Sequence, residues 1–129
     1  MHSIVMMSFS YQTGNMMYST VHYWLKIENN IYIAMIKPDG VPDEQLSVFP
    51  VDESFVLNLE NILIRYKVGD WNGFNKVDKR VLDGTGFSLN VRFASDKSIH
   101  ASGYVSRPAR YAEVRNALDS AFMGLLTNQ

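Results

Sequence analysis

Cysteine is absent from this 129-residue chain, which removes disulfides, thiolate metal ligands and cysteine nucleophiles together. An excess of either charge is missing too: 12 Lys+Arg against 13 Asp+Glu leave a formal net charge of −1. Chains that bind nucleic acid nonspecifically carry a strong basic excess, so no nucleic-acid partner is expected; Lys76, Lys79 and Arg80 read as a small solvated basic loop. No window approaches the ~18 apolar residues of a membrane-crossing helix, and no membrane association is expected. The start of the chain holds an apolar run from Ile4 to Met7 with no basic leader, a poor secretory signal that reads better as a first strand. Absence of cysteine is compatible with a cytoplasmic setting.

Recognisable catalytic signatures are also lacking. No serine sits in Gly-x-Ser-x-Gly and no glycine-rich phosphate loop occurs. His2, His22 and His100 are scattered, with no second ligand at metal spacing. A composite site would have to draw on His22, Arg92, His100 and Tyr104, outward-facing positions that ordinary surface polarity explains. No catalytic residue, metal or cofactor is therefore expected.

What is present is a strongly patterned chain. Hydrophobic residues make up 47% and charged residues 19%, ordinary for a soluble globular protein, and 129 residues suffice for one domain, 1–129, with its own core. Phe87, Leu89, Val91 and Phe93 alternate with Ser88, Asn90 and Arg92, the period-two pattern of a strand with one buried face. Ile99, Ala101, Gly103 and Val105 repeat it. After Pro108 the period changes, and Tyr111, Val114, Leu118, Phe122 and Leu125 fall at helical spacing. A three-residue loop at Ser95-Asp96-Lys97 pairs Phe93 with Ile99, Val91 with Ala101 and Leu89 with Gly103, places His100 opposite Arg92, and asks Lys97 for a left-handed backbone.

The N-terminal half reads as three strands. Residues 3–11 are β-prone and end at Gln12-Thr13-Gly14-Asn15; residues 18–28 and 31–37 flank the two-residue turn Asn29-Asn30. That turn pairs Ile27 with Tyr32, Leu25 with Ala34 and Tyr23 with Ile36 on one face. On the other it pairs Lys26 with Ile33, Trp24 with Met35 and His22 with Lys37. Lys37 to Val51, punctuated by Pro38, Pro42 and Pro50, reads as a long loop. Asp52 fits a helix N-cap with Val51 and Val56 as a hydrophobic staple. Phe55, Leu59, Ile62, Leu63 and Tyr66 then form a helical stripe to about residue 67, closed by Gly69. Trp71-Asn72-Gly73-Phe74 is an aromatic turn suited to plug the core, and Asp83-Gly84 a further turn.

Trp71-x-Gly73-Phe74, then Leu82-Asp83-Gly84 before Phe87-Ser88-Leu89, then Gly103-Tyr104, Pro108 and Tyr111 resembles a group of small uncharacterised bacterial α+β domains. The likeness spans about residues 55–122. It departs at Phe87, where that pattern often carries tryptophan, and near Lys97, where it often carries glycine. The resemblance implies a bacterial, cytoplasmic setting and attaches no activity.

The expected architecture is α+β: a five-stranded, mainly antiparallel sheet in the order β-β-β-α-β-β-α, with both helices on one face. Tyr18, Trp24, Ile33 and Met35 then lie on the opposite face as an apolar patch of the kind that marks an interface. Two functions follow. One is a non-catalytic interaction module, homodimeric or bound to another protein through that patch. The other is a small ligand binder or enzyme with a pocket between the 37–51 loop and the sheet.

Overall fold

A computed structural model of the chain describes residues 4–14, 16–77 and 85–127. Nine elements follow one another: β1 (Ile4–Gln12), β2 (Thr20–Glu28), β3 (Ile31–Lys37), β4 (Ser47–Val51), α1 (Glu53–Arg65), β5 (Asn75–Val77), β6 (Gly86–Phe93), β7 (Ser98–Tyr104) and α2 (Tyr111–Thr127). The α+β class stands, but the sheet has seven strands rather than five, ordered β4-β3-β2-β1-β6-β7-β5. It is mixed: β5 runs parallel to β7, while the other neighbours are antiparallel. Among the described residues no helix is long and apolar enough to cross a membrane.

Both additional strands come from stretches read as loop or turn. In β4, Phe49 and Val51 turn inward while Val48 and Pro50 turn out, a period-two pattern that the proline obscures. Proline lacks the N–H a central strand must donate, but an edge strand leaves every other N–H unpaired and accepts it. β4 pairs only with β3, setting Pro50 opposite Ile33. β5 is three exposed residues and carries no burial pattern at all.

One face of the sheet holds the core. Met7 and Phe9 of β1, Tyr23 and Leu25 of β2, Ala34 and Ile36 of β3, Leu89 and Val91 of β6 all vanish beneath the two helices. Helix α1 contributes Val56, Leu59, Ile62 and Leu63, and α2 contributes Tyr111, Val114, Leu118 and Phe122. Their rings interlock: Phe122 stacks on Tyr23 with centroids 4.6 Å apart, and Phe55 meets Phe122 edge-on at 5.3 Å. Asp119 of α2 pins helix to sheet by accepting hydrogen bonds from the Tyr11 and Tyr23 hydroxyls at 2.7 and 2.5 Å. Burial and this carboxylate push the Tyr11 phenol up to about 12 and raise that of Tyr23. Trp71 plugs the core as its spacing suggests, its indole N–H donating to the Ala109 carbonyl at 3.0 Å.

Turn chemistry sets the registers. Asn29 and Asn30 both adopt left-handed backbone (φ 54° and 63°), the geometry of a two-residue hairpin, and all six expected β2–β3 pairs form. The last hairpin departs from expectation by one loop position. Its left-handed residue is Asp96 (φ 68°), because aspartate tolerates that conformation better than lysine. The Phe93 N–H therefore donates to the Lys97 carbonyl, and Val91 pairs with Ile99, Leu89 with Ala101 and Phe87 with Gly103. His100 consequently faces Asn90, not Arg92. Gly103 is required on contact grounds, since a Cβ there would lie 2.3 Å from the Ser106 carbonyl oxygen.

The ends of two elements also shift. β2 begins at Thr20, leaving Tyr18 outside the strand, in a turn with φ 67°. Helix α1, capped by the Asp52 side chain accepting from the Phe55 N–H, ends at Arg65. The left-handed residue beyond it is Lys67, and Gly69 lies in a following short 3-10 turn, residues 68–71. The Asp83-Gly84 turn, and Lys79 and Arg80 of the basic loop, fall outside the described residues.

Candidate functional site

Directly opposed residues on neighbouring strands share a face, so the ladders of the sheet define the uncovered side row by row. One row runs Val48, Met35, Trp24, Ser8, Asn90, His100 from β4 to β7. The next runs Pro50, Ile33, Lys26, Met6, Arg92, Ser98. A third runs Lys37, His22, Ser10, Ser88, Ser102, Asn75. The face thus divides at about β1. Toward β4 it carries Trp24, Met35, Ile33, Val48 and Pro50 with Lys26 and His22 beside them, and from β1 toward β7 it carries Met6, serines, asparagines, Arg92 and His100.

Trp24, Ile33 and Met35 are therefore adjacent, as their spacing suggests, and each is half-buried. Side chains on a bare sheet shade one another, so partial exposure is what an uncovered face gives. Val48, at the edge with one neighbouring strand, is 56% exposed. Tyr18 does not share the rows; it sits in the turn before β2, where its carbonyl accepts from the Lys37 ammonium at 2.9 Å and the Gly40 N–H at 3.1 Å. Sequence reasoning passed over Val48 and Pro50, because β4 was not recognised.

At the β2–β3 end, the face closes over a polar knot. Lys37 is 1% exposed, and its ammonium donates to the carbonyls of Tyr18 and Thr20, so the turn before β2 folds over it. His22 beside it stacks on Trp24 with centroids 3.6 Å apart, and its Nε2 lies 2.8 Å from the Ser8 hydroxyl. Burial lowers the imidazole pKa to about 4; Asp43 pulls it upward and Lys37 downward. A serine beside a histidine has the look of a nucleophile and its base, yet an imidazole this acidic is a weak base near neutral pH.

The other residues of the composite reading do not converge on it. His22 on β2 and His100 on β7 are separated by β1 and β6, roughly 14 Å at ordinary strand spacing. His100 Nδ1 pairs instead with Asn90 Oδ1 at 2.7 Å. Among the described residues no three His, Asp or Glu side chains gather as a metal site would require.

A second feature lies on the helix side. Glu60 falls within the buried stripe of α1, four residues after Val56 and three before Leu63, where an apolar residue is the rule. It is 3% exposed and accepts a hydrogen bond from the Ile4 N–H at 2.9 Å. A cleft of about 530 Å³ opens beside it, between the end of α1, the turn at residues 68–71 and the β6–β7 hairpin. The signal was available in the sequence as a glutamate at core spacing. The stripe read from the sequence, Phe55, Leu59, Ile62, Leu63 and Tyr66, counts apolar residues alone and so leaves it out.

No family model matches the chain, and no curated protein matches it significantly.

Proposed function

We propose that this chain is a non-catalytic interaction module that pairs with a second copy of itself through the apolar half of the uncovered sheet face. The observation that carries the reading is the contiguity of Trp24, Met35, Ile33, Val48 and Pro50 over three neighbouring strands, with both helices committed to the other side. Burying aliphatic side chains of this size stabilises by ~1.5–3 kcal/mol each, so leaving the block wet forgoes a large gain. A two-fold arrangement buries the same block on both copies with one contact. The net charge of −1 sets little repulsion between copies. The resemblance to small bacterial α+β domains adds a cytoplasmic setting and no chemistry.

Sedimentation tests this directly. The wild type should run as a dimer at high micromolar concentration, and Trp24→Glu as a folded monomer, because a carboxylate in place of the patch's largest side chain would have to be desolvated in the dimer. A wild type that stays monomeric under those conditions sinks the proposal.

The rival reading, a ligand pocket between the 37–51 segment and the sheet, has less support. Residues 47–51 are hydrogen-bonded to β3 as β4, which leaves only residues 38–46 to form a rim.

A further inference from the structure

The cleft beside Glu60 sets a buried carboxyl group against apolar walls. Its walls are apolar: Leu63 and Ile64 from α1 face Phe93 and Ile99 from the last hairpin. Its volume, about 530 Å³, falls in the range of small-molecule sites. Yet among its lining residues is a carboxyl group more than nine-tenths buried. Among the described residues, Glu60 accepts one hydrogen bond, from the Ile4 amide, and no basic side chain pairs with it. A carboxylate can accept about four hydrogen bonds. Lys67 and Lys97, which also line the cleft, are both exposed and stand with Asp70 near its opening to solvent.

We propose that this cleft binds a small amine with an apolar body, its ammonium donating to Glu60 and its hydrocarbon lying between α1 and the β6–β7 hairpin. A fatty acid fits the same walls less well. Lys67 and Lys97 could hold its head group, but its hydrocarbon tail would then lie against the Glu60 carboxyl and strip that group of water without replacing a hydrogen bond. An amine supplies a donor to the buried carboxyl beside the one it receives, among the described residues, from the Ile4 amide. The site is separate from the self-association patch, which lies on the opposite face of the sheet, so Trp24→Glu should bind amine as the wild type does.

Hexylamine, hexanol and hexanoate share one chain and differ only in the head group, which makes them suitable probes. Titrated into 15N-labelled protein, hexylamine should shift the amide resonances of residues 60–72 and 93–99, with affinity on the order of millimolar for so small a ligand. It should bind about tenfold more tightly than hexanol, the scale of one charge-assisted hydrogen bond, and more tightly than hexanoate. Glu60→Gln keeps an oxygen for the Ile4 amide and should erase the preference for amine over alcohol. Ile64→Arg changes a wall residue that is 61% exposed, so the fold is retained, and the added cation should weaken hexylamine about tenfold. Hexanoate binding as well as hexylamine, an amine preference that survives in Glu60→Gln, or shifts confined to residues outside the cleft would each overturn the proposal. Should Glu60→Gln fail to fold, Ile64→Arg decides: unchanged hexylamine affinity there overturns it.

Discussion

Along β1, Met7, Phe9 and Tyr11 disappear beneath the helices while Ser8 and Ser10, each one residue away, stay half-buried on the open side. The same alternation runs through β2, β6 and β7, so the two faces differ in kind. The covered face is aromatic and tightly interlocked, with Asp119 bonded to two of its tyrosines. The open face is itself divided: over β4-β3-β2 its apolar side chains cluster beside Lys26 and His22, and over β1-β6-β7 it is polar apart from Met6. A sheet that merely needed one dry side would have no reason to keep Trp24, Met35 and Ile33 together on the other. The covered face explains stability, and the apolar half of the open face is where partner recognition is to be sought.

The sharpest way to break that contrast is to damage the covered face. Leu118 is fully buried between Val114 and Phe122 in the stripe of α2. Leu118→Ala should destabilise the protein by ~2–5 kcal/mol, the usual cost of emptying such a site. Urea denaturation checks it. A loss under about 0.5 kcal/mol, the scale of surface changes, would mean that α2 does not carry the core.

A smaller effect tests whether the open face is inert. The fold favours neutral His22, whose pKa falls from 6.5 to about 4 through burial, with Lys37 adding to the lowering and Asp43 opposing it. Because the folded pKa is depressed, the associated stability is fully present above about pH 6.5. It is lost as pH falls toward the folded value near 4. The loss should be on the order of 2 kcal/mol after allowing for partial solvent screening. His22→Gln should flatten this acid limb in denaturation curves taken between about pH 7 and 5. An unchanged slope in the variant would show that other groups set the acid stability.

Much of the difference between the faces was legible before any coordinates. Period-two alternation fixes which residues share a face, and a register error of two residues leaves the faces unchanged. That is why the last hairpin, displaced from its expected pairing, still buries Leu89, Val91, Ile99 and Ala101. The β2–β3 pairing was readable in full because Asn29-Asn30 permits one tight turn geometry. Two of the illegible parts share a physical cause: in each, one residue type concealed a role that neighbours made tolerable. Pro50 hid β4 until an edge position made it acceptable, and Glu60 hid in a core stripe until the Ile4 amide gave it a partner. β5 is three exposed residues and left no side-chain pattern to read.

The smallest expected effect concerns the division within the open face. Ser88 lies on β6, in the row that joins His22 and Ser10 to Ser102, on the polar side of β1. If recognition is confined to the apolar half, a charge placed there should be harmless. Ser88→Lys should change stability by no more than about 0.5 kcal/mol, as surface substitutions do. Its dimer should sediment like the wild type, in contrast to the monomer expected of Trp24→Glu. Loss of the dimer in Ser88→Lys would carry the interface across β1 to β6, and the boundary drawn between the two halves would have to be abandoned.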